Sequence, residues 1–104
     1  MNPHQDLTPA EVAARVKQGA RLIDVREPAE FEAERIAGAL LMPLSTLDPA
    51  KLPKDAPLIF QCGTGKRSSL ALARVQQAGL PHDAHLAGGI QAWKAAGLPT
   101  IVGK

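Results

Sequence analysis

The sequence predicts an α/β fold, a small and mostly parallel sheet with helices on both faces. Two observations point there. The segments 21–26 and 58–61 have apolar centres, Leu22-Ile23 with Val25 and Leu58-Ile59-Phe60, as strands buried on both faces of a parallel sheet do. Around them lie segments with helical periodicity and helix-start and helix-stop residues. The chain of 104 residues is expected to form one domain, residues 1–104, with a modest core.

Taken in order, Thr8-Pro9-Ala10-Glu11 reads as a capping box with proline at the first helical position. Val12, Ala13 and Val16 give the following helix one apolar face, and Gly19 is its stop. The strand 21–26 comes next. Asp24 interrupts it near its carboxyl end, the rim where ligands gather in open α/β sheets. Asp24 and Arg26 are therefore supporting candidates. The plainer role for Asp24 is an ion pair with a nearby arginine, since such pairs occupy the same positions.

Glu27-Pro28-Ala29-Glu30-Phe31-Glu32 starts a short acidic helix, with Phe31 expected to anchor it in the core. Residues 36–44 give a turn and a short strand closed by Pro43. Residues 45–57 form a connector punctuated by Pro49, Pro53 and Pro57, in which Ser45 is a candidate cap for a turn of helix. Residues 68–78 form a helix with Ala71, Leu72 and Val75 as its buried stripe, ended by Gly79 and Pro81. Residues 83–86 read as a short strand. Gly88-Gly89 then lets the backbone pass close to the 62–68 loop, and Trp93 packs the last helix down.

Composition excludes several classes. A net charge of +2 is too weak to indicate nucleic acid. One cysteine excludes an internal disulfide, and a working thiolate suits a reducing, cytoplasmic setting. The first residues lack a signal-peptide pattern, and no apolar run has the length of a membrane span. His4, His82 and His85 have no second cysteine or carboxylate cluster to complete a metal set, so neither metal nor cofactor is expected.

The chemistry concentrates in residues 58–69. A short strand ends at Gln61, Cys62 begins a tight loop, and Gly63-Thr64-Gly65-Lys66-Arg67-Ser68 leads into a helix. A free cysteine is only about 3% thiolate at neutral pH. The positive end of a helix, unpaired N–H groups and the charges of Lys66 and Arg67 would all favour the thiolate. A depression of about two pKa units, roughly 2.7 kcal/mol, would leave the thiolate dominant. Gly63 and Gly65 allow positive φ, so successive amides can converge as an anion nest. A lone cysteine after an apolar strand is more often a buried hydrophobe, and the cationic glycine loop is what reverses that expectation. The loop is not a Walker A motif, because Arg67 follows Lys66 and Phe60 stands where the upstream glycine belongs. Nor is it a dinucleotide fingerprint, which needs glycine at Ser68.

At these residues the chain resembles the rhodanese family of single-domain sulfurtransferases. That family's loop is a cysteine, four residues, an arginine and a Ser or Thr, as in Cys62, Arg67 and Ser68. Asp24-Val25-Arg26, Glu30-Phe31 and Ile36-Ala37-Gly38-Ala39 resemble a second family block, and Leu86-Ala87-Gly88-Gly89 with Trp93 a third. The resemblance covers roughly residues 8–99. Three departures stand out: Gly63 replaces an arginine common in the family, Arg35 a histidine and Ala37 a proline.

The resemblance implies a rhodanese-like fold and a Cys62 persulfide as carrier of the transferred sulfur. It implies residues 63–68 as the binding loop for a small anionic donor such as thiosulfate or a persulfide. The acceptor, cyanide or a thiol, must come from outside, since no second cysteine exists. The residues from Trp93 onward resemble the junction that precedes transmembrane hairpins in membrane-anchored bacterial rhodaneses, which would put the chain at the inner face of a membrane. Two other readings share the thiolate: a thiol sensor or persulfide carrier, and a phosphatase or arsenate reductase. Rhodanese-related phosphatases have five residues between cysteine and arginine, against four here.

Overall fold

The structure is a computed structural model that describes residues 4–103. Its elements run β1 (Gln5–Leu7), α1 (Pro9–Lys17), β2 (Arg21–Asp24), α2 (Pro28–Ala33), β3 (Glu34–Arg35), β4 (Leu40–Leu41), β5 (Leu58–Gln61), α3 (Lys66–Gln77), β6 (Ala84–Leu86), α4 (Gly89–Ala95) and β7 (Ile101–Val102). Five strands form one sheet in the order β1-β6-β5-β2-β4, with every pairing parallel. β3 and β7 form a separate antiparallel ribbon. The α/β class is as the sequence predicts, and the crossovers put helices on both faces.

Alternation along the strands builds two cores. Leu22 and Ile59 face one side, where they meet Val12 of α1 and Ile90 and Trp93 of α4. Ile23, Val25, Leu58, Phe60 and Cys62 face the other, where they meet Ala71, Leu72 and Val75 of α3. Leu47 and Leu52 of the 45–57 connector cover this second side.

The capping box at Thr8 forms as expected. The Glu11 amide donates to Thr8 Oγ1 at 3.2 Å, and the Thr8 amide donates to Glu11 Oε1 at 2.9 Å. Such caps contribute about 1 kcal/mol. Several boundaries move. β2 ends at Asp24, because Arg26 turns back on it, and α3 begins at Lys66, two residues before the expected start. β1, β3 and β7 have no counterpart in the sequence reading.

Two side chains differ from expectation. Phe31 is only half-buried and belongs to neither core, and the Arg35 guanidinium stacks 5.4 Å from its ring. Ser45 caps nothing: its hydroxyl donates to Glu27 Oε1 at 2.9 Å, and the capping side chain of the connector is Asp48, which accepts from the Ala50 amide.

Candidate active site

The parallel strands end at one rim, and the loop 62–65 begins there. β5 delivers Cys62 pointing into the second core, 1% exposed. The backbone around it is fixed by α4. The Ile90 amide donates to the Cys62 carbonyl at 2.8 Å and the Gln91 amide to the Gly63 carbonyl at 3.2 Å. This close approach requires glycine at 89. A Cβ there would lie 2.2 Å from the Cys62 oxygen, and φ is +60°. The expected passage of Gly88-Gly89 against the loop is thus present.

The sulfur sits inside a ring of donors. The Gly65 amide donates to Sγ at 3.0 Å, and the Ser68 hydroxyl lies 3.7 Å away. Burial pushes the thiol pKa up. The amide and hydroxyl of Ser68 and the amides of Gly65 and Thr64 outweigh it, so the net shift is downward. The charge interaction between Cys62 and Arg67 is secondary to these hydrogen bonds. Lys66 is exposed on the first turn of α3. Arg67 is held in a bidentate pair with Glu30, 2.6 and 2.9 Å, and that pair is the main reason its own pKa rises, with Cys62 a minor contributor. The nest also differs in detail: only Gly65, at φ +108°, takes the left-handed conformation. Gly63 does not, and a Cβ on it would meet the Arg67 guanidinium at 3.2 Å.

Asp24 and Arg26 form the structural ion pair considered above. Both are buried, with Arg26 Nη2 donating to Asp24 Oδ2 at 2.8 Å and Nε to Oδ1 at 3.0 Å. Arg26 also donates to the Glu34 carbonyl at 2.6 Å, so the pair ties β2 to β3. Neither side chain touches the sulfur. Of the expected loop, Thr64, Gly65 and Ser68 converge on the sulfur, Lys66 and Arg67 lie around it, and Asp24 and Arg26 stand apart in their own pair.

Sequence reasoning missed His85. It lies on β6, 6% exposed, with Nδ1 2.8 Å from Ser68 Oγ and Nε2 2.6 Å from Asp6 Oδ1. The signal available was a histidine between Ala84 and Leu86 in a buried strand, a polar residue in need of partners. Beside the loop an open depression is lined by Asp6, Thr64, Gly65, Lys66, His85 and Gly88. Among the described residues no group of three or more His, Cys, Asp or Glu is arranged to hold a metal ion, and no helix is long and apolar enough to cross a membrane.

Residues 8–96 match the model of the rhodanese-like domain. The chain is 43% identical over 89 residues to an uncharacterized protein of Synechocystis sp., covering 84% of this chain and 50% of that one. It thus spans about half the length of that relative. It is 37% identical over 82 residues to a protein of Allochromatium vinosum named sulfurtransferase, covering 77% of each. A rhodanese-related protein from Thermoplasma volcanium superposes with a TM-score of 0.84 at 30% identity, over 94% of this chain and 98% of that one. A Rhodopseudomonas palustris protein of unknown function, described as a possible tyrosine phosphatase, superposes with a TM-score of 0.79 at 32% identity, over 92% and 83%. The match runs from the cap of α1 to the end of α4, far beyond the cysteine loop, and on that breadth the chain belongs to the family of rhodanese-like domains.

Proposed function

We propose that this chain is a sulfurtransferase that carries sulfur as a Cys62 persulfide. The observation behind the reading is the ring of amides and the hydroxyl that converge on Sγ and lower its pKa against the effect of burial. The Cys62 thiolate attacks the outer sulfur of thiosulfate. A new S–S bond forms, the old one breaks, and sulfite leaves with the electron pair. The amides that hold the thiolate then face the bound sulfur and the departing anion. In the second half, cyanide or an external thiolate attacks the outer sulfur, and Cys62 departs as a thiolate. Donors of this kind present a single terminal sulfur, which suits a nucleophile only 1% exposed.

The likeness to the possible tyrosine phosphatase raises a phosphatase reading. Four residues between Cys62 and Arg67 make a small cradle, and Arg67 is already paired with Glu30. Both features favour a sulfur atom over a phosphate tetrahedron. A sensor or carrier would use the same thiolate without turnover. Steady-state assays decide among the three. Thiocyanate formation from thiosulfate and cyanide, absent in Cys62→Ser, is the expected result. Hydrolysis of an aryl phosphate with no thiocyanate would overturn it, and neither reaction would leave the sensor role.

A further inference from the structure

Cys62 is 1% exposed and Ser68 is fully buried, so the groups within reach of a thiol proton are the side chains bonded around it. A chain of hydrogen bonds leads away from it. Sγ lies 3.7 Å from Ser68 Oγ, Oγ lies 2.8 Å from His85 Nδ1, and His85 Nε2 lies 2.6 Å from Asp6 Oδ1. The last residue of the chain is open to solvent, with its side chain 72% exposed. Three elements build it: α3 supplies Ser68, β6 supplies His85, and β1 supplies Asp6 directly opposite His85 in the parallel register. Resting on the reading of Cys62 as nucleophile, we propose that Ser68, His85 and Asp6 form a proton relay that takes the Cys62 thiol proton, with His85 as the acceptor.

The tautomer follows from the partners. A carboxylate only accepts, so Nε2 carries a hydrogen and donates to Asp6, leaving Nδ1 with a free lone pair. The Ser68 hydroxyl has one hydrogen. It donates to Nδ1, and its oxygen accepts from the Cys62 thiol. The Gly65 carbonyl, 3.1 Å away, competes for that hydrogen, but the Nδ1 contact is shorter. When the S–H bond breaks, its proton passes to Ser68 Oγ and the serine's own proton passes to Nδ1. The products are a thiolate and an imidazolium, the serine hydroxyl now donates to the sulfur, and no proton is lost or gained. Asp6 stabilises the imidazolium from its far side. When an acceptor later removes the sulfur, the released Cys62 thiolate can recover the same proton. His85 acts through Ser68 and is thus a positioning residue, while Ser68 touches the reacting atom.

The other groups facing this chain are few. The amides of Thr64, Gly65 and Ser68 and the charge of Arg67 face the sulfur. The His4 ring meets His85 edge-on at 5.9 Å, and Lys66 borders the same depression. None of these accepts the thiol proton.

The test is the pH profile of Cys62 alkylation by iodoacetamide on the full chain, for wild type, His85→Gln, Ser68→Ala, the double variant and Asp6→Asn. The expected midpoint of the His85→Gln profile rises by about one pH unit, making alkylation about tenfold slower near neutral pH. Ser68→Ala shifts at least as far, and the double variant matches Ser68→Ala alone, because the residues act in series. Asp6→Asn, an isosteric change at a side chain 72% exposed, shifts a few-fold in the same direction. A profile unchanged in folded His85→Gln, or a double shift equal to the sum of the singles, would overturn the relay. Should His85→Gln fail to fold, an unchanged Asp6→Asn profile overturns it. Thiosulfate loading, read separately by mass, keeps the claims apart. Loading with unmoved profiles sinks the relay alone, and moved profiles without loading sink the sulfurtransferase reading alone.

Discussion

Gly89 has no room for a side-chain carbon, since the Cys62 carbonyl would stand 2.2 Å away. Gly89→Ala should therefore cost about 3 kcal/mol or more in urea unfolding, combining backbone strain with a clash against main chain. Gly79 also has positive φ, +86°, but nothing lies within 4 Å of its would-be Cβ. Gly79→Ala should cost only about 1–2 kcal/mol. Equal losses for the two would contradict the close approach. Asp24→Asn should cost about 3 kcal/mol by the same measurement, because it leaves Arg26, 5% exposed, as an uncompensated buried charge. Cys62, its loop and the Gly88-Gly89 passage were legible in the sequence because their evidence is local: a glycine pattern, a strand end, a helix start. The Asp6–His85–Ser68 chain was not, because its members lie 79 and 17 positions apart and only the sheet register joins them.

At the scale of elements, α2 and α3 are joined across the loop by Glu30 and Arg67. The Arg67 hydrogen bonds are the main cause that lowers the Glu30 pKa to about 2, helped by the Glu27 amide and opposed by burial. A carboxyl depressed in the folded state contributes stability that is full above its unfolded pKa and lost as pH falls through the folded one. Acid should therefore weaken the pair between about pH 4.5 and 2. The Glu30 side chain is 40% exposed, so solvent screening limits the contribution to under about 1 kcal/mol. Glu30→Gln should accordingly unfold almost like wild type at neutral pH. In kinetics it should lower the KM for thiosulfate a few-fold, since Arg67 is freed beside the loop, and an unchanged or higher KM would argue that the pair positions Arg67 for the donor. The capping box of α1 was readable from four adjacent residues. The half-buried setting of Phe31 was not, because burial of an aromatic on a six-residue helix depends on where the rest of the fold puts that helix.

Across the whole molecule, the parallel sheet sets the chemistry by bringing strand ends to one rim. β5 ends just before Cys62, β6 carries His85 beside it, and β1 adds Asp6 as the outermost strand. Apolar runs such as Leu58-Ile59-Phe60 disclosed the central strands. The edge strand β1, Gln5–Leu7, is three residues long with two of them exposed, so no pattern marks it. Phe60 is fully buried beneath α3, and Phe60→Ala should cost about 3–5 kcal/mol, a large share of the stability of a chain this size. The rim tests the account as a whole. Intact mass after incubation with thiosulfate, for wild type and Cys62→Ser, is the most direct measurement. A gain of one sulfur atom that cyanide reverses, in wild type only, is the predicted result. No gain in wild type, or a gain that survives Cys62→Ser, would contradict the persulfide at Cys62.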